Sequence, residues 1–207
     1  SRAPLGVFLR LAVASCLTAT LGHAQSPSPQ PKPDWAALMA AGSRERVQGR
    51  IDLAIDRLQQ ALQMARGSTQ QMQSAGELGA ALMQARRLDQ AEGPLRQARE
   101  LAQGDARADQ ELALGNLANL RRDAFTANRH YHAALQLADE LSVASLKAGL
   151  NLVRSAEPDE RLAQLTALSA RIGRSPVGRT DPSLYLNLGH QAHALGPSGL
   201  ALAYSSI

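Results

Sequence analysis

Histidine pairs are the first candidates for chemistry in this sequence. His190 and His193 stand three residues apart, so on a helix they share a face at a spacing compatible with one metal ion. No carboxylate or cysteine lies near them in sequence, so we interpret them as exposed helix residues and expect no metal site. His130 and His132 flank Tyr131, and a helix directs them to opposite sides, which prevents a shared ligand.

The remaining reactive side chains do not form a recognisable catalytic set. Asp52 and Asp56 are one helical turn apart, but their neighbours Arg50 and Arg57 indicate surface ion pairs rather than paired catalytic carboxylates. The sequence contains no phosphate-binding loop and no serine-nucleophile motif. We therefore expect neither catalysis nor a cofactor in this segment.

Cys16, the single cysteine, lies in an N-terminal segment that we predict to be cleaved off and so absent from the mature protein. Arginines precede an apolar run that ends with small residues before Ala24, which is typical of a secretory signal over residues 1–24. The proline-rich stretch 25–34 then predicts an extended linker rather than a continuing core helix. The chain is thus expected to be exported.

The residues before Cys16 leave a second destination open. Val13-Ala14-Ser15-Cys16 resembles a bacterial lipobox, in which the cysteine is lipidated, whereas the short distance from Arg10 favours an incidental cysteine inside a signal. Membrane contact is expected only if Cys16 is lipidated, which would give a lipid-anchored envelope protein. The chain begins at Ser1 rather than Met, so residues upstream are not excluded.

The composition of the 207 residues predicts helices that pack through small side chains. Aromatic residues are only 3 %, which argues against a β-sandwich or barrel, and 44 % hydrophobic residues argue against a disordered chain. The net charge of +4 comes from scattered arginines interleaved with acidic residues, so we expect no nucleic-acid partner.

A repeat of about 36 residues organises the chain. Glycines after Ala or Leu recur at spacings of 37, 36, 34 and 40 residues, at Gly42, Gly79, Gly115, Gly149 and Gly189. Fixed offsets from the first three glycines carry two alanines and one large residue: Ala54, Leu58, Ala61; Ala91, Leu95, Ala98; Ala127, Tyr131, Ala134. Small residues at fixed places allow two helix backbones to approach closely, while the large residue fills the remaining gap. Each unit is expected to be an antiparallel helix pair that buries its apolar face against the next unit.

Local signals refine these units. Gly49 is expected to provide a left-handed helix stop, and Asp89 with Glu92 predicts a capping box. Pro94 should bend or fray its helix. In the fourth unit, the residue types of segment 157–160 predict a turn, and Leu162, Leu165 and Leu168 are expected in the core. The segment 173–182 predicts a long loop.

The spacing of small and large residues resembles that of tetratricopeptide repeats (TPR) over residues 35–207. The resemblance implies an all-α, TPR-like α-solenoid of stacked antiparallel helix pairs, with about four and a half repeats and the last one truncated. The sequence departs from the family in lacking its usual Trp, since Trp35 stands elsewhere in the repeat, and the proline that usually closes each repeat.

The resemblance also implies a partner-binding concave face lined by the first helix of each pair. Family spacing places there Arg46, Met83, Leu112, Asn116, Asn119, Leu146, Leu150 and Arg154. Asparagine amides both donate and accept hydrogen bonds, which suits an extended peptide backbone, although solvated helix residues explain Asn116 and Asn119 equally well.

The sequence therefore predicts an exported scaffold that binds a protein or peptide partner. The Leu-Gly and Gly-Asn phrases behind a signal also resemble bacterial arrays that precede a caspase-like peptidase domain of the CHAT type. We expect the natural protein to continue beyond Ile207, and the alternative function is the regulatory array of such a peptidase.

Overall fold

The computed structural model describes residues 34–177 and 180–196. The predicted signal over 1–24 with Cys16, the linker up to residue 33 and the end of the last unit lie outside these described residues.

Within the described part, nine α-helices follow one another and no strand occurs. They are α1 Trp35–Val47, α2 Ile51–Met64, α3 Gly67–Gln84, α4 Leu88–Leu101, α5 Gly104–Leu120, α6 Ala124–Leu137, α7 Val143–Val153, α8 Pro158–Arg174 and α9 Pro182–His193. Consecutive helices pack as antiparallel pairs, and each pair packs against the next. The predicted all-α solenoid of stacked helix pairs is confirmed.

The alanines of the repeat are the core of each pair, as the sequence predicts. All nine residues at the three offsets in α2, α4 and α6 are buried, at 3 % exposure or less. A Cβ added at Gly42, Gly79 or Gly115 would stand 2.7, 2.4 or 2.5 Å from Leu58, Leu95 or Tyr131. Because such distances are shorter than real Cβ contacts, glycine is what allows the two helices of each pair to approach this closely.

The fourth unit keeps this contact but shifts its register. The nearest side chain to Gly149 is Leu168, not Leu165, so the partner comes three residues later, about one helical turn. The prediction that 157–160 forms a turn is wrong, because α8 already begins at Pro158. Proline suits the first position of a helix, since the N–H that it lacks would have no hydrogen-bond partner within the helix. Leu162 is 37 % exposed rather than buried, and Ile172 fills the core instead.

Three further local predictions need correction. Asp89 and Glu92 do not cap α4, whose N-cap residue is Arg87; their carboxylates bind Arg121 at 3.0 and 2.6 Å. Pro94 does not fray α4, which continues on both sides because Leu95 and Ala98 anchor the following turn. The predicted loop 173–182 is shorter, since α8 extends to Arg174 and α9 begins at Pro182.

The turn inside each of the first three pairs has a residue in the left-handed conformation. Gly49 has φ of 78°, as predicted, but the equivalent residues in the next two pairs are Arg86 and Arg122, with φ of 61° and 64°. Arginine carries a Cβ that glycine lacks, so these two turns are strained where the first is not.

Candidate functional site

The first helices of the pairs form a continuous inner surface. α1 contacts α3, α3 contacts α5, α5 contacts α7 and α7 contacts α9. In the described part of the chain, the second helices α2, α4, α6 and α8 do not contact one another. The array therefore curves around its first helices, and their free face is the concave side, which we call the inner surface.

Polar side chains join α5, α6 and α7 at this inner surface. Asn116 Oδ1 accepts hydrogen bonds from the Tyr131 hydroxyl at 3.1 Å and from Asn151 Nδ2 at 3.0 Å. Burial raises the pKa of Tyr131 to about 12, which the nearby Arg154 charge partly opposes. Asn116 Nδ2 and Asn151 Oδ1 take no part in this network, so a bound peptide backbone has a donor and an acceptor within reach.

Asn119 and Arg154 extend this polar region toward the ends of α5 and α7. Asn119 is half-buried and Arg154 is exposed, and neither side chain makes a hydrogen bond or ion pair to another described residue. Substituting them removes polar groups from the surface without breaking an internal contact. These two residues are therefore the best probes of the inner surface.

Two other residues of the predicted face, Arg46 and Met83, make contacts within the protein. Arg46 bridges α1 to α3 through an ion pair with Glu77 at 3.2 Å, with side-chain exposures of 30 % and 36 %. Met83 is half-buried and packs on the core cluster that includes Leu78 and Leu82. The Arg46 charge is thus already paired with an acid, and Met83 offers only part of its thioether side chain to the inner surface.

Three predicted contact residues are not on the surface. Leu146 and Leu150 have 0 % exposure and pack with Leu184 and Leu188, because α7 is enclosed by α8 and α9. Leu112 is 8 % exposed and belongs to the cluster around Tyr131. The prediction that these leucines face a partner is wrong; they are core residues.

The sequence reasoning missed Asn151. It follows Asn116 by 35 residues, close to one repeat, so the recurrence of asparagine was a usable signal. The family spacing placed Leu150 on the inner face of α7, because Leu150 follows Gly149 by one residue as Asn116 follows Gly115. The hydrogen bond to Asn116 is made by the next residue, Asn151. The structure brings Asn116 and Asn151 together and leaves the predicted leucines in the core.

A buried charged cluster was also missed, on the opposite side of the solenoid. Glu111 of α5 is 3 % exposed and accepts hydrogen bonds from Arg99 of α4 and from His130 Nδ1 of α6, the latter at 2.7 Å. Burial by itself would raise the pKa of Glu111, but the hydrogen bonds from His130 and Arg99 outweigh it and hold the pKa below its usual value. The available signal was a charged residue at a repeat position that the first two units fill with apolar residues, Leu38 and Ala75.

The histidines and aspartates lie as follows. His130 and His132 line different grooves, on either side of α6, as predicted. His190 and His193 are exposed, and across residues 34–177 and 180–196 no group of three or more His, Cys, Asp or Glu is placed to hold a metal ion. Asp52 forms its ion pair with Arg87 of the next pair, at 2.6 Å, rather than with Arg50.

No helix in the described ranges has the length and apolarity that a membrane crossing requires.

The chain resembles solved structures but no known sequence family. No protein-family model matches the chain, and no curated protein matches it. Among solved structures, the chain is similar to YrrB, described as a TPR protein with an unusual peptide-binding site, at a TM-score of 0.49 and 16 % identity. The match covers 84 % of this chain and 85 % of that one.

Proposed function

We propose that this chain is a TPR-type scaffold whose inner surface binds an extended peptide segment of a protein partner. The observation that carries the proposal is the asparagine pair: Asn116 and Asn151 hold each other across two first helices and keep one donor and one acceptor unused. Spare amide groups of this kind suit a peptide backbone, whose N–H and C=O groups have the same spacing in every sequence.

The surroundings of the asparagine pair favour a partner with acidic character near one end. Arg154 is exposed and unpaired among the described residues, whereas the other predicted arginine, Arg46, is paired with Glu77. A carboxylate of the partner beside Arg154 would gain a charge-assisted hydrogen bond. We infer an orientation in which the acidic end of the peptide lies at the carboxyl end of α7.

The test begins with a peptide library displayed on phage and selected on the full chain. The affinity of a recovered peptide, measured by fluorescence anisotropy, is then compared between the wild type and an Asn119→Ala, Arg154→Ala double variant. We expect the double variant to bind at least about tenfold more weakly, since two polar contacts are lost. The matched control is Arg57→Ala with Gln60→Ala, two exposed residues of α2. Equal affinity of the double variant, or no recovered peptide, contradicts the proposal.

Export is proposed on the pattern of residues 1–24 alone. N-terminal sequencing of the protein recovered from a bacterial envelope or medium should find a chain beginning after Ala24. A mature chain beginning at a lipidated Cys16 would instead identify an anchored envelope protein, and metabolic labelling with a fatty acid separates the two results.

The alternative is that the array regulates a CHAT-type cysteine peptidase encoded in the same gene. It depends on the Leu-Gly and Gly-Asn phrases of the repeats. Reading the gene past Ile207 decides it, because a peptidase needs a further domain with its own histidine and cysteine.

A further inference from the structure

A groove lies on the outer side of the described residues, between α4 and α6. Its volume is about 520 Å³, and its floor is α5, with Leu114, Leu117 and Ala118. Arginines project from both walls: Arg96 and Arg99 come from α4, and Arg129 from α6. The groove lies away from the inner surface, so it is independent of the proposed function.

Glu111, beneath this groove, is a costly residue for a solenoid core. Leu38 and Ala75 occupy the equivalent places in the first two units, and both are buried. Taking a carboxylate out of water carries a desolvation penalty, and an apolar side chain at the same place is often equally or more stable. The position therefore calls for an explanation other than packing.

Glu111 orients the side chains of Arg99 and His130, which both line the groove. Arg99 uses its Nε atom for Glu111, and His130 uses Nδ1. Both terminal nitrogens of Arg99 and Nε2 of His130 have no protein partner among the described residues. Because a guanidinium carries five N–H donors, holding it by Nε leaves its outer edge ready for another acceptor.

Four carboxylates line the groove, Glu92, Glu100, Glu111 and Asp123, together with four arginines and His130. Both carboxylate oxygens of Glu92 are bound, one by Arg96 and the other by Arg121. Arg129 is exposed and makes no ion pair with a described residue. Asp123 Oδ1 accepts a hydrogen bond from the Thr126 backbone N–H, whereas Glu100 is exposed and makes no ion pair with a described residue. Three of the four carboxylates are thus bound inside the protein, while guanidinium N–H groups on both walls are not.

The neighbouring groove between α6 and α8 provides a comparison within the same molecule. Its volume is about 430 Å³, and its arginine, Arg171, donates to Ser145 at 2.8 Å and to the backbone carbonyl of Glu140. Its other lining side chains include Asn128, His132 and Gln164. Of these two grooves, the one between α4 and α6 is the one with several arginines around a buried acid.

We propose that the groove between α4 and α6 is a binding site for an anionic group, a carboxylate or a phosphate, presented by a second molecule. Planar guanidinium edges match the paired oxygens of both groups. Arg99 from the α4 wall and His130 from the α6 wall, both held by Glu111 of the floor, contact the anion, and Arg96 and Arg129 contact it from the same two walls.

The test is a titration of the full chain followed by NMR of arginine Nε–H and histidine ring signals. The probes are inorganic phosphate and citrate, each against sodium chloride at the same ionic strength, so that the phosphate and carboxylate sources are distinguished. Binding of either probe, with shifts concentrated on Arg99, Arg129 and His130, supports the site. Shifts spread evenly over all arginines, or no saturation with either probe, overturn it.

Two variants separate an oriented site from diffuse attraction. Arg129→Gln should lower the affinity for the probe by about fivefold. The control Arg57→Gln, at an exposed position of α2, should leave the affinity unchanged. Glu111→Gln removes a negative charge next to the groove, so diffuse attraction would make anions bind more tightly. We expect weaker binding instead, by about fivefold, because Arg99 and His130 lose the group that orients them. Tighter binding by Glu111→Gln contradicts the proposal; if that variant does not fold by circular dichroism, the Arg129→Gln and Arg57→Gln pair decides.

Discussion

Gly79 and Leu95 are so close that a Cβ added at the glycine would stand 2.4 Å from Leu95 Cδ2. The contact joins α3 to α4 at the centre of the second pair. Gly79→Ala should therefore lower the free energy of unfolding by about 1–3 kcal/mol, because an extra methyl group forces the helices apart. Urea unfolding followed by circular dichroism measures it.

The matched control for this prediction is Gly173→Ala in α8. An added Cβ there meets nothing within 4 Å, so only helix propensity changes. We expect no loss, and a gain of up to about 1 kcal/mol. Equal effects of the two substitutions would show that close approach is not what the repeat glycines provide.

Arg86 and Arg122 have a left-handed backbone conformation, so replacing them with glycine should stabilise the protein. Arg86→Gly and Arg122→Gly should each raise the free energy of unfolding by about 0.5–1 kcal/mol, because φ values of 61° and 64° are unfavourable for a residue with a Cβ. The reverse change, Gly49→Ala, should lower stability by a similar amount. Thermal melts of the three variants give the signs, and a loss of stability in both arginine variants would contradict the prediction.

Glu111 predicts a component of acid sensitivity. Its pKa in the folded state lies below its usual value, so folding favours the ionised carboxylate. The stability it contributes is present above the pKa of the unfolded state and is lost as the pH falls through the lower pKa of the folded state. Unfolding free energies measured from pH 7 down to pH 3 should fall less steeply in Glu111→Gln than in the wild type. Parallel pH profiles would exclude this role.

Tyr131 predicts the opposite sensitivity at alkaline pH. Its pKa of about 12 exceeds the usual value of 10.0, so the folded state keeps the phenol protonated longer than the unfolded state does. The corresponding stability is present below pH 10 and is lost as the pH rises toward 12. An ultraviolet titration should show a late tyrosine component, and Tyr131→Phe should remove it. The same variant should cost about 1 kcal/mol at pH 7, because Asn116 loses a hydrogen bond. A titration with no late component would contradict the assignment.

The periodic part of the fold could be predicted from the sequence because its cause is local and repeats. Gly115, Ala127 and Tyr131 recur with the same offsets as their equivalents in the first two units, and all three lie where those offsets predict. The fourth unit departs from this register, and predictions there fail. Leu150 was assigned by family spacing to the inner surface, but α9 encloses that side of α7.

The polar groups were less predictable for a different reason. The sequence shows that position 111 falls on a buried face, but not that Arg99 and His130 converge on it from two other helices. Likewise, the partner of Asn116 is Asn151, one unit further on, rather than Asn119 on the same helix. Contacts between units depend on the rotation of one pair against the next, which no spacing within a single unit specifies.

The arrangement in which first helices touch and second helices do not has a mechanical consequence. α4 packs on α5 as well as on α3, and α6 packs on α5 and α7, so the groove between α4 and α6 lies over the interface between two pairs. Because α4 and α6 do not contact each other, that interface alone sets the distance between them. A change in the curvature of the array therefore changes the width of this groove.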